Sequence, residues 1–82
     1  MMDPDRMREL IETRLADCTA VIHNDANDRE HFAAEVVSAE FVGLSRIKQH
    51  RLVYQALGHH MAGDIHALAL KTYTPAQWAE RP

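Results

Sequence analysis

Apolar positions change their spacing along this chain, and each change marks an element. Met7, Leu10, Ile11 and Leu15 recur at helical intervals and share one face. Asp3 can accept from the first free backbone N–H groups, and Pro4 suits the first helical position because its missing N–H would have no partner there. A first helix is therefore predicted from about Pro4 to Asp17. The period then drops to two. Thr19 to His23 reads as a short strand around Ala20, Val21 and Ile22. His31 to Ser38 reads as a second strand, with Phe32, Ala34 and Val36 on one face and Ala33, Glu35 and Val37 on the other. The polar run from Asn24 to Asp28 between them is a turn cluster, which makes the pair an antiparallel hairpin.

Gly43 breaks the chain, and Ser45 can cap a second helix. That helix is expected to place Ile47, His50, Val53, Tyr54, Leu57 and Met61 on one side, with Lys48, Arg51, Gln55 and His59 opposite. Ser45 to His50 also reads as a separate short turn. Gly58 costs ~1 kcal/mol in a helix interior, so it is a point for a kink, and Gly63 is the expected left-handed end. Ile65 to Tyr73 is a third strand on which Leu68 and Leu70 share a face with His66. Thr74-Pro75-Ala76-Gln77 is a capping box that opens a last short helix carrying Trp78.

The order is α-β-β-α-β-α over a single domain, residues 1–82. A helical crossover between the second and third strands is expected to leave them parallel, giving a three-stranded mixed sheet in a two-layer α+β domain. Phe32, Val36, Ile47, Tyr54, Leu57, Leu68 and Leu70 are its expected core.

Composition narrows the chemistry. The formal charge is −3 with neutral histidines, which opposes duplex binding because that rests on phosphate neutralisation. The N-terminus is acidic and polar, unlike a signal peptide, and no apolar run approaches the ~20 residues that span a bilayer, so a cytoplasmic location with no membrane partner is expected. The single cysteine, Cys18, excludes an internal disulfide and a cysteine-only metal site within one chain. It reads as a small buried hydrophobe. The histidine count is high: His23, His31, His50, His59, His60 and His66. There is no Gly-rich phosphate loop and no nucleophile paired with a base, so no enzyme is expected. From the residues alone, His66 is either a hydrogen-bonded edge ring or an imidazole ligand for iron or zinc. His31 reads as a cross-strand polar contact. Arg46, Lys48 and Arg51 form either a solvated helix face or a partner or nucleic-acid surface.

The run from Phe41 to Trp78 carries a resemblance. Phe41-Val42-Gly43, then His50-Arg51-Leu52-Val53, then Ile65-His66-Ala67-Leu68 followed by Lys71-Thr72-Tyr73-Thr74-Pro75-Ala76-Gln77-Trp78, resembles the signature of BolA-type proteins. His31-Phe32 is similar to the His-Phe pair of the family's shorter IbaG-like branch. The resemblance implies a class II KH-like fold. It implies a heterodimer with a monothiol CGFS-type glutaredoxin around a shared [2Fe-2S] cluster, for cluster trafficking or iron sensing, with this chain metal-free when alone. The glutaredoxin would supply one cysteine and glutathione a second ligand, while this chain would supply His66 and His31, with His23 ranked below His31. The family's other description is that of a DNA-binding transcriptional regulator. Against it stands the nucleotide-clamping G-x-x-G loop of KH modules, of which Gly43-Leu44-Ser45-Arg46 keeps only the first glycine.

Overall fold

A computed structural model describes residues 2–24, 31–62 and 67–81. Helix α1 (Pro4–Arg14) begins as expected, with the Asp3 carboxylate accepting the Asp5 N–H at 2.9 Å. It buries Met7, Leu10 and Ile11. It stops at Arg14, short of the predicted Asp17, because the next residues turn the chain into the sheet. Leu15 is extended, and Asp17 takes a left-handed φ of 46°, which short polar side chains tolerate. The turn is held from outside: the Glu40 carboxylate accepts the Ala16 N–H at 2.5 Å, and the Ser38 hydroxyl donates to the Ala16 carbonyl at 2.7 Å.

Strands β1 (Cys18–His23) and β2 (His31–Ser38) pair antiparallel, and β3 (Ala67–Tyr73) pairs parallel to β2, in the order β1-β2-β3. The predicted hairpin and crossover are both present. Alternation sorts the two faces. Ala20, Phe32, Ala34 and Val36 enter the core, with Cys18, Ile22, Leu68 and Leu70 packed against it. His23, Ala33, Glu35, Lys71 and Tyr73 belong to the opposite face. Ile65 and His66, expected at the start of the third strand, lie outside the described residues, as does most of the turn cluster after Asn24.

Helix α2 (Arg46–Leu57) starts at its Ser45 cap, whose hydroxyl accepts the Lys48 N–H at 3.3 Å. Its buried face differs from the expected one. Gln49, Val53, Ala56 and Leu57 face inward, while Ile47 is 67% exposed and Tyr54 38% exposed. The expected core therefore loses Ile47 and Tyr54. The rotation is explained by Gln49, a polar residue that no apolar count would place inside. It is 8% exposed. Its amide donates to the carbonyls of Phe41 (3.2 Å) and Leu44 (3.0 Å), and its oxygen accepts the Thr72 hydroxyl at 2.6 Å. One side chain thus joins the turn before α2, the helix itself and β3. Gln49→Leu keeps the volume but leaves these partners unsatisfied, so a loss of about 2–3 kcal/mol is expected in urea unfolding. A loss below ~0.5 kcal/mol would show that the network contributes little.

Gly58, not Gly63, ends the α-helix. Its φ of +59° and ψ of −135° break the helical path while its N–H still reaches the Tyr54 carbonyl. The chain continues as a 3-10 segment, Gly58–Ala62; Gly63 is outside the described residues. A second 3-10 turn, Ala39–Phe41, was not predicted and swings Phe41 fully into the core. Helix α3 (Pro75–Glu80) begins at the predicted capping box. Thr74 Oγ1 accepts the Gln77 N–H at 3.2 Å, and Gln77 Oε1 accepts the Thr74 N–H at 2.9 Å. Trp78 meets Tyr73 edge to face at 5.1 Å, and the Arg81 guanidinium lies 3.5 Å from the Trp78 ring centre.

Candidate functional site

The start of β2 holds the first candidate ligand. His31 is exposed and opens the strand, and its register partner on β3 is Ala67. His66 is the residue before Ala67 in the sequence and lies outside the described residues. The backbone at His31 is tied down, since the Asn24 side-chain amide donates to its carbonyl at 2.7 Å.

His23 ends β1, paired with Ala33. It shares a sheet face with Glu35, and its Nε2 lies 3.4 Å from Glu35 Oε1. The other carboxylate oxygen accepts the Tyr73 hydroxyl at 3.1 Å. Register explains the meeting. β1 and β3 both pair with β2, so Glu35 has Val21 on one side and Lys71 on the other, with His23 and Tyr73 each two residues along. This His23–Glu35–Tyr73 set was not singled out from the sequence. Strand parity combined with the parallel register would have found it.

Burial pushes the Glu35 carboxyl up, but the Tyr73 hydroxyl, His23 and Arg81 outweigh it and hold the group below its usual range. The Tyr73 phenol is raised, first by burial and then by Glu35. A lowered carboxyl contributes stability above its unfolded value of about 4.3 and loses it as pH falls through the folded value. A raised phenol contributes below about 10 and loses its share as pH rises through the folded value. The pair therefore supports the fold across the neutral range and fails at both ends. Tyr73→Phe is expected to flatten both limbs of the melting-temperature profile between about pH 3 and 11. Unchanged limbs would assign the pH dependence to other groups.

Cys18 is half-buried, and its thiol is pushed up to about 11 by burial and then by Glu12 and Glu40. It is protonated at neutral pH, and the thiolate is the form that ligates metal. Arg46, Lys48 and Arg51 are all exposed on α2. Arg46 and His50 line a hollow of about 430 Å³ together with Leu70, Lys71, Thr72 and Tyr73. Burial, and then Arg46, hold His50 below the ordinary imidazole range.

Among the described residues, no three His, Cys, Asp or Glu side chains are grouped to hold a metal ion. His31 and His23 are separate imidazoles on one hairpin, and His23 is engaged with a carboxylate. This donor set suits a metal centre completed by ligands from elsewhere, and it does not suit a site enclosed by the described residues alone.

The family described as BolA-like protein matches residues 12–77. BolA-like protein 1 of Mus musculus is 49% identical over 57 residues, which is 70% of this chain and 42% of that protein. The chain thus spans less than half the length of this relative. The DNA-binding transcriptional regulator BolA of Vibrio cholerae is 45% identical over 60 residues, covering 72% of this chain and 57% of the relative. Among solved structures, a bolA protein homologue from Coxiella burnetii superposes with a TM-score of 0.84 at 41% identity, over 98% of this chain and 100% of the other.

Proposed function

Because the chain belongs to the BolA-like protein family, we propose that it handles a [2Fe-2S] cluster together with a monothiol CGFS-type glutaredoxin. The observation that supports this reading is the exposed His31 at the head of β2, in register with Ala67, the residue next after His66. His66 and His31 are the ligands proposed from this chain; His23 is the reserve, because its ring is already turned to Glu35. The glutaredoxin cysteine and glutathione complete the set. Imidazole in place of thiolate on one iron raises the reduction potential, which suits transfer or sensing of a cluster more than low-potential electron transfer. For this chain the chemistry is simple. It must present correctly aimed imidazoles to a cluster brought by the partner.

The test is co-expression with a CGFS glutaredoxin and purification under anaerobic conditions. A heterodimer with visible charge-transfer bands and one cluster per pair is the expected product. A stable but colourless heterodimer would leave the chain as a metal-free interaction module.

A second reading is a DNA-binding regulator. The description of the Vibrio cholerae relative and the exposed Arg46, Lys48 and Arg51 favour it. The net charge of −3 opposes it. Weak duplex affinity at physiological salt is expected. A sequence-specific complex near ~10⁻⁸ M that is lost in Arg51→Ala would reverse the ranking.

A further inference from the structure

The sheet has two outer strands, and they end differently. On β1 the outward backbone is engaged, since the Ala20 N–H donates to the Glu12 carboxylate at 2.9 Å. A side chain that takes an edge donor blocks strand addition there. On β3 nothing comparable occurs. Among the described residues its only strand partner is β2, and no backbone or side-chain group outside β2 bonds to its main chain.

The hollow beside α2 shows where that open edge points. It is lined by four consecutive residues of β3, Leu70, Lys71, Thr72 and Tyr73. Successive strand side chains project to opposite faces. A space that touches all four must therefore run along the strand's edge, past its N–H and C=O groups. The opposite wall is Arg46 and His50 of α2. No carboxylate lines the space, and neither Arg46 nor Lys71 is ion-paired among the described residues. In a chain of net charge −3 this places two cations beside backbone with no described partner, with Glu35 next to Lys71 on the far side of the sheet.

From this geometry we propose that the open edge of β3, walled by Arg46 and Lys71, docks an extended acidic segment of a protein partner, which joins the sheet as a fourth strand. Main-chain hydrogen bonds would supply affinity, and the two cations would select acidic side chains. A lysine on an edge strand commonly deters pairing between like copies; here it also determines which foreign strand is admitted. A peptide fits better than a nucleic acid, because two cations are few for a polyanion facing a negatively charged protein. The dock is distinct from the proposed cluster end. Leu70, the nearest residue of the dock, is three residues from Ala67, about 10 Å at strand rise, and Tyr73 is about 20 Å from Ala67.

The experiment uses the full chain, isotope-labelled, titrated with an end-capped peptide of about eight residues alternating valine with glutamate. Three comparison ligands are the same peptide with valine and lysine, the glutamate peptide with alternate backbone amides N-methylated, and a single-stranded oligonucleotide. The expected result is saturable amide shifts in residues 70–73 with the glutamate peptide alone. The double variant Arg46→Glu, Lys71→Gln should weaken binding roughly tenfold or more. Both positions are exposed, an acidic residue at Arg46 suits the first turn of α2, and a neutral side chain at Lys71 avoids a like-charge pair with its register partner Glu35, so an unchanged unfolding midpoint serves as the control. Equal binding by the N-methylated peptide would reduce the contact to surface charge and overturn strand addition. Shifts produced only by the oligonucleotide, or no shifts in residues 70–73, would overturn the proposal outright.

Discussion

Replacing His66 by alanine is expected to abolish or strongly alter the visible spectrum of the glutaredoxin complex while leaving the unfolding midpoint of the isolated chain close to that of the wild type. The basis is coordination chemistry. An imidazole ligates iron only through a neutral nitrogen that is correctly aimed. Cys18 is unsuited, because its thiol is pushed up to about 11 and so stays protonated at neutral pH. Cys18→Ser should therefore leave the spectrum unchanged. His31→Ala should have a smaller but detectable effect. If it has none and His23→Ala does, the second ligand is His23, and Glu35 must release that ring when the cluster binds. The readout separates ligation from folding, because chemical unfolding of the metal-free chain does not depend on the cluster. A His66→Ala complex with an unchanged spectrum would end the cluster reading for this chain.

Much of the fold is legible in local pattern, for physical reasons. The hairpin rests on strict alternation around a polar turn, and the parallel β2–β3 pair rests on the length of the helical crossover. The caps at Asp3, Ser45 and Thr74 are side-chain solutions to unpaired backbone donors, so they are local and legible. The misses arise where tertiary contacts override local pattern. Ile47 and Tyr54 fit an apolar stripe, but a network of hydrogen bonds turns the helix to bury Gln49 in their place. The end of α1 is decided by Glu40 and Ser38, residues far along the chain. The early stop at Gly58 was foreshadowed by its helix cost, while the pattern of apolar residues ran on to Met61. At the candidate site, the proposed ligands rest on the family signature alone. The engagement of His23 was not legible, because it depends on register across two strands.

Phe41→Ala is expected to be the most damaging substitution to the fold itself, though Phe41 belongs to the signature run as much as His66 does. The ring is 0% exposed and sits in the same core cluster as Met7, Ile11, Val36, Val53 and Leu57. Removing a buried aromatic ring costs about 3–5 kcal/mol, through lost transfer energy and an unfilled cavity. A domain of this size lies toward the lower end of the usual ~5–15 kcal/mol, so the variant should be largely unfolded at 37 °C. If it folds at all, its melting temperature should fall by about 12–40 °C, at ~4–8 °C per kcal/mol for a chain this short. The loss extends beyond the ring, because the Phe41 carbonyl accepts the Gln49 amide and so helps set the face that α2 presents. The decisive comparison is Ile47→Ala. Ile47 is also apolar and fits the expected stripe, but it is 67% exposed, so its change should stay within ~0.5 kcal/mol. Calorimetry of the two variants side by side tests the rotation of α2 directly. A large loss at Ile47 with a small one at Phe41 would mean that the helix packs on the face its apolar spacing predicts, and that Gln49 is not the residue that sets it.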